Sequence, residues 1–276
     1  MTGLCQEAKS PPDALGRSAR VKPLALSSRR VAETKAVQIQ SLGKANATSS
    51  TSVYTTAGFW ERLWRMSGIN FLFFSVIAYV IYPHSQAAAS PDALVAFYAG
   101  DHLRILIAAV FFGMAVLNLL WFVSALRTTL ADAGQDGWGA AATAASAVVG
   151  GFFLGLLTLA AALAYSISGS GNGALIAGLK ELAWAGLVMT SFPRAMLIMA
   201  GSFGLWRAKL ISNALFAAGV AAVLLVLLGG TTWTSGGFWA PFGAYSRLVS
   251  PLIGLVWVAV VSRVLLTRAS ATRAAW

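Results

Sequence analysis

"RILIAAVFFGMAVLNLLWFVSALR", residues 104–127, is an apolar segment that carries a charged residue only at each end. A helix needs about 20 apolar residues to cross the hydrocarbon core of a bilayer, and this segment supplies them. A helix also satisfies its own backbone hydrogen bonds, which lipid cannot do. The segment therefore predicts a transmembrane helix over residues 103–125.

Similar segments recur along the chain and indicate that the whole protein belongs to a membrane. The chain is 58% hydrophobic and only 11% charged, whereas soluble domains carry about 25% charged residues. We predict an all-α, polytopic bundle of six transmembrane helices within residues 57–268. Besides the first segment, the predicted spans are 66–82, 141–165, 182–206, 211–229 and 247–266.

The distribution of Lys and Arg predicts how this bundle is threaded. With six spans, sixteen of the 20 Lys and Arg fall on the side of the N-terminus, and three fall on the other side: Arg104, Lys180 and Arg247. Positively charged loops favour the cytoplasm. We therefore expect both termini to be cytoplasmic, in the inner membrane of a bacterium.

The two ends of the chain differ in composition from the bundle. Residues 1–56 are rich in Ser, Ala, Thr and basic residues, and such a segment is predicted to be a disordered cytoplasmic tail. Residues 269–276 are predicted to be a short cytoplasmic C-terminus. Much of the formal charge of +11 lies in the tail, so this charge does not indicate nucleic-acid binding.

The connection after the first span contains "SPDALVAFYAG", residues 90–100. Ser90 is a favourable N-cap, and Pro91 suits the first helical position. The pattern predicts a short helix on the outer surface that ends at Gly100. Asp101 is then expected to cap the second span.

"SFPRAMLIMAG", residues 191–201, places a charged residue inside the fourth predicted span. Pro193 cannot donate a hydrogen bond to the carbonyl of Met189, so a backbone acceptor is freed near the Arg194 guanidinium. Asn118 of the second span lies at a comparable predicted depth. Three interpretations follow: Arg194 satisfies the proline defect and cross-links helices, it lines a polar cavity that binds an anionic headgroup or solute, or the span shifts or breaks and brings Arg194 nearer the surface.

A second candidate site is suggested by the two histidines of the chain, which both fall on the predicted outer side. His84 and His102 could act together with Asp101 in handling a proton or a metal ion. Capping and solvation at the interface explain the same residues equally well. We predict no resident metal and no cofactor.

Other features restrict the classes of function. The sequence has no nucleotide-binding loop and no GxSxG motif. No acidic residue lies within a predicted span. Because proton-coupled transporters commonly use buried carboxylates, this absence disfavours ion coupling through Asp or Glu. The single cysteine, Cys5, excludes a disulfide within one chain. Gly151 and Gly155 form a GxxxG pair, which favours close helix packing and makes a second copy of the chain a candidate partner. Membrane lipids are the other expected partner.

Three stretches resemble a large group of bacterial multi-pass membrane proteins of unknown function: "FYAGDHLRILIAAVFFGMAVLNLLWFVSALRTTLADA", "LAWAGLVMTSFPRAMLIMAGSFGLWRAKLIS" and "GFWAPFGAYSRLVSPLIGLVWVAVVSRVLLTR". The resemblance covers roughly residues 60–268 and implies a six-helix membrane domain without a known ligand. Arg194 departs from the apolar residue that usually follows this proline in the group.

Together these observations predict a non-enzymatic structural or regulatory component of the membrane. The alternative is a transporter, or a lipid- or anion-binding protein, with a cavity around Arg194.

Overall fold

A computed structural model describes Trp64, residues 66–83 and residues 90–274, with residues 268–274 described by their backbone alone. These residues form α-helices, one 3-10 turn and one π-helical turn, and no strand is present among them. The predicted all-α class is therefore confirmed for this part of the chain. The predicted tail 1–56 and His84 lie outside the described residues.

The helices follow one another with short connections. In chain order they are α1 (Ser67–Ile81), α2 (Pro91–Gly100), α3 (His102–Asp132), α4 (Asp136–Tyr165), α5 (Gly173–Met189), α6 (Ser191–Arg207), α7 (Asn213–Gly229) and α8 (Ser250–Ala274). The 3-10 turn Ile167–Ser170 precedes α5, and the π-helical turn Tyr245–Val249 leads into α8.

Four helical segments are long and apolar enough to cross a membrane: His102–Asp132, Asp136–Tyr165, Gly173–Arg207 and Tyr245–Thr267. The third of these joins α5 and α6. Within the described residues, α1 has 15 residues and α7 has 17, so both are shorter than these four. The structure thus shows a helical protein with four candidate spans, where the sequence predicted six.

The core lies where α3, α4, α6 and α8 meet. Phe122 and Leu126 of α3 are fully buried in it, together with Leu205 of α6 and Leu265 of α8. The closest packing partners are α3 with α4, α1 with α3, and α6 with both α4 and α7. A second, smaller cluster joins α2 to α4 and α5 through residues such as Leu94, Leu163 and Ile176.

The short helix α2 begins as its sequence predicts. The Ser90 hydroxyl accepts a hydrogen bond from the Ala93 backbone N–H, and Pro91 occupies the first helical position. Asp101 occupies the N-cap position of α3 as expected, but its side chain makes no capping hydrogen bond to this helix. Its carboxylate lies 3.5 Å from Nη1 of Arg104 instead.

The glycine pair of α4 does not pack as predicted. A Cβ atom built on Gly151 or Gly155 would meet nothing within 4 Å, so neither glycine packs closely against another helix among the described residues. The neighbouring Gly150 faces α3, where its Cβ would lie 3.4 Å from Val116. The residue before the GxxxG pair thus faces α3, whereas the pair itself does not.

Candidate functional site

The apolar run around Arg194 consists of two helices that meet at Thr190. Pro193 is the third residue of α6, and because it has no N–H, the carbonyl of Met189 loses its helical donor. The α5 helix ends at Met189 in consequence. The sequence predicted one span over 182–206 with a break as an alternative, and the structure has such an interruption one turn before Arg194.

Arg194 turns its guanidinium back onto this interruption. Its Nε donates to the carbonyl of Thr190 at 3.3 Å, and its Nη2 donates to the Ser191 hydroxyl at 3.3 Å. The Arg194 backbone N–H donates to the same Thr190 carbonyl at 3.1 Å. Two of its five side-chain N–H groups are thus used locally, and the side chain is only 9% exposed.

The structure does not bring Asn118 to Arg194. The Asn118 side-chain amide donates to the Met114 carbonyl of its own helix at 2.8 Å. None of the hydrogen bonds found among the described residues joins it to the guanidinium. Arg194 therefore bonds to Thr190 and Ser191, where α5 and α6 meet. The expected cross-link to Asn118 of α3 is not formed.

Arg194 lines a cavity of about 530 Å³ that has mostly apolar walls. The walls come from α1 to α6 and from α8, and they include Phe112, Leu156 and Trp184. The cavity begins beside Lys180 of α5 and continues past Arg194 to Ile198 of α6. At about 1.5 Å per helical residue, this stretch is roughly 27 Å long.

Three cationic side chains line this cavity: Lys180, Arg194 and Arg247. None of the described residues that line it is Asp or Glu. Lys180 is only 9% exposed, and its charge interacts with those of Glu181, an exposed neighbour outside the lining, and of Arg247. The cavity thus combines apolar walls with an excess of positive charge.

Arg247 lies in the π-helical turn Tyr245–Val249, immediately before α8. Pro251, which also lines the cavity, cannot donate to the Arg247 carbonyl four residues earlier. The wider winding of the backbone at this point is consistent with that missing donor. Such π turns are frequent at functional sites. The turn is held in place from α7, because the Tyr245 hydroxyl donates to the Leu225 carbonyl at 2.6 Å.

Two tyrosines lie at the same end of the cavity as Lys180. Tyr82 and Tyr98 both line it and are hydrogen-bonded to one another. Burial raises the pKa of Tyr98 above its usual value of 10.0, and the neighbouring Tyr82 raises it further. A phenol with the usual pKa is already neutral at physiological pH, and both effects extend this neutral form of Tyr98 to higher pH.

Trp257 of α8 lines the cavity towards the end that lies opposite Lys180. Its indole Nε1 donates to the Ser202 hydroxyl at 3.0 Å, and its ring packs edge-on against Phe122. The ring also lies against the backbone of α6, since a Cβ atom on Gly201 would be 2.6 Å from Cζ2 of Trp257. The absence of a side chain at Gly201 therefore allows Trp257 to sit in the cavity wall.

The second candidate site is only partly described. Asp101 lies beside Arg104, and Nδ1 of His102 is 3.0 Å from the Ala99 carbonyl. Both residues therefore have local partners at the start of α3, and neither lines the cavity.

The sequence interpretation treated Lys180 and Arg247 only as markers of topology. Their shared cavity could not be seen from spacing, because 67 positions of chain separate them. One signal was present: Pro251 stands four residues after Arg247, just as Pro193 stands four residues after Met189. Both prolines predict a local break in helical hydrogen bonding, and both breaks border the cavity.

No family model, curated protein or solved structure matches this chain.

Proposed function

We propose that this chain is an integral protein of a bacterial cytoplasmic membrane that binds an anionic membrane lipid in its cavity and does not alter it chemically. The supporting observation is an apolar cavity with three cationic side chains and, among the described lining residues, no carboxylate. Hydrocarbon suits such walls, and an acidic headgroup complements the charges.

The physical reason is the cost of burying positive charge. Lys180 is only 9% exposed, and a buried cation is costly unless an opposite charge or hydrogen-bond acceptors compensate it. An anionic group that enters the cavity offsets part of this cost, while a neutral lipid does not. The cavity is therefore expected to select lipids by charge.

We also propose six spans with both termini in the cytoplasm. The four long apolar helices support a membrane protein, and α7, with 17 residues, reaches the lower end of the range for a spanning helix. The distribution of Lys and Arg along the sequence supports the orientation.

Native mass spectrometry of the purified protein tests lipid binding. The protein is mixed with equal amounts of phosphatidylglycerol and phosphatidylcholine that carry identical acyl chains. We expect the anionic lipid to be retained preferentially. The combined variant Lys180→Gln, Arg194→Gln, Arg247→Gln should lose this preference.

The matched control is Arg207→Gln. Arg207 lies in the last turn of α6, is exposed, and does not line the cavity. This variant removes the same charge from the same helix and should retain the preference. If the unaltered protein retains both lipids equally, the proposal is wrong, and a structural or regulatory role without a charged ligand becomes the better explanation.

A further inference from the structure

The three cations of the cavity do not occupy equivalent positions. Lys180 and Arg247 come from different helices and act on one another electrostatically, beside Tyr82 and Tyr98 at one end of the cavity. Arg194 follows Lys180 by fourteen positions, which is about 21 Å along helical backbone. The headgroup of a bound lipid can therefore contact either Arg194 or the pair Lys180 and Arg247, but not both.

Resting on the proposed lipid binding, we propose that the headgroup site is the pair Lys180 and Arg247, that it binds a phosphate, and that Arg194 is a positioning residue for the helix interruption. A guanidinium fork and an ammonium group together can contact several oxygens of one phosphate. Tyr82 and Tyr98, which are hydrogen-bonded to one another, border the same end of the cavity.

The dimensions of the cavity favour this end for the headgroup. From Arg194 to Ile198, the last lining residue of α6, the cavity extends about 6 Å along the helix. A headgroup at Arg194 would leave its chain little room in that direction. In the other direction, the chain would end against the charges of Lys180 and Arg247. A headgroup at Lys180 and Arg247 leaves the whole length of the cavity for one hydrocarbon chain.

The hydrogen bonds of Arg194 agree with a positioning role. Its Nε and Nη2 both point to groups within four residues of it, at the place where α5 ends and α6 begins. The methylene stem of an arginine is apolar and can cover hydrophobic surface. A hydrocarbon chain can therefore pass this residue even though its guanidinium is charged.

The backbone at Arg247 presents this residue to the cavity. The missing donor at Pro251 accounts for the π-helical turn, and Tyr245 fixes the turn to α7. In consequence, Arg247 lines the cavity from the start of α8.

Single variants in the same lipid competition test the assignment. We expect Arg247→Gln and Lys180→Gln each to reduce the preference for phosphatidylglycerol over phosphatidylcholine about tenfold, as expected for the loss of one charged hydrogen bond. Arg247→Lys should restore part of it, because the charge returns without the guanidinium fork. Arg194→Gln should change the preference less than about twofold.

Monodispersity and thermal stability of each variant are measured alongside. If Lys180→Gln does not fold, the comparison of Arg247→Gln with Arg247→Lys decides. Loss of the preference in Arg194→Gln, with retention in the other two variants, would overturn the assignment and leave lipid binding intact. An unaltered protein without any preference would instead contradict the proposed function itself.

Discussion

Replacing Gly201 by alanine should destabilise the protein through the wall of the cavity. The new Cβ would lie 2.6 Å from Cζ2 and 2.8 Å from Cη2 of Trp257, closer than carbon atoms approach in folded proteins. The indole cannot move away freely, because its Nε1 is bonded to Ser202 and its ring packs against Phe122. Overpacking of this kind costs about 1–3 kcal/mol in the free energy of unfolding.

The matched control is Gly151→Ala on α4. The substitution is chemically identical, and a Cβ at Gly151 meets nothing within 4 Å. Alanine favours helix over glycine by up to about 1 kcal/mol, so this variant should be as stable as the unaltered protein or more so. The difference between the two variants isolates the contact with Trp257.

A denaturant titration of each variant in mixed detergent micelles measures the midpoint of unfolding under the same conditions. We expect Gly201→Ala to shift the midpoint to lower denaturant and Gly151→Ala not to. Equal midpoints would refute the packing of Trp257 against α6. A larger loss in Gly151→Ala would show that the face with Gly151 and Gly155 contacts another copy of the chain, as the sequence suggested.

Three further changes test other parts of the structure. Arg194→Leu loses two hydrogen bonds to a charged donor, about 1.5–3 kcal/mol each, but no longer buries a charge worth about 2.5–3.5 kcal/mol. Its free energy of unfolding should therefore fall by no more than about 3.5 kcal/mol, and a complete failure to fold would contradict this balance. Ser90→Ala removes the N-cap of α2, which costs about 0.5–2 kcal/mol; hydrogen exchange at Ala93 should accelerate, and unchanged protection would show that the cap is unimportant. Because the folded state holds the Tyr98 proton more tightly than the unfolded state, stability is expected to fall as the pH rises above 10.0; Tyr98→Phe should reduce that loss in an alkaline unfolding titration, and an identical slope would argue against burial of the phenol.

Local features of the fold were predictable because they depend on near neighbours in the chain. The apolar runs predicted helices, since backbone hydrogen bonds in such segments have no other partner in lipid. Ser90 and Pro91 predicted the start of α2, and the structure has the capping bond. Pro193 predicted a defect at Met189, because the missing N–H is a property of the residue itself.

Features that depend on distant segments were not predictable in the same way. Spacing suggested that Arg194 meets Asn118, but each side chain bonds to its own helix. The GxxxG pair suggested close packing, yet the rotation of α4 places Gly150 against α3 and leaves Gly151 and Gly155 without a neighbour. Depth and rotation are set by how whole helices pack, and a single-chain pattern contains little information about either.

The sequence by itself determined that this chain is helical and suited to a membrane, and that a proline and an arginine interrupt one of its apolar runs. Only the tertiary structure placed Lys180 and Arg247 in one cavity with Arg194. The physical reason is that helical hydrogen bonds and the hydrophobicity of a segment depend on residues that are close together in the sequence. A cavity instead arises where the side chains of helices far apart in sequence fail to fill the space between them.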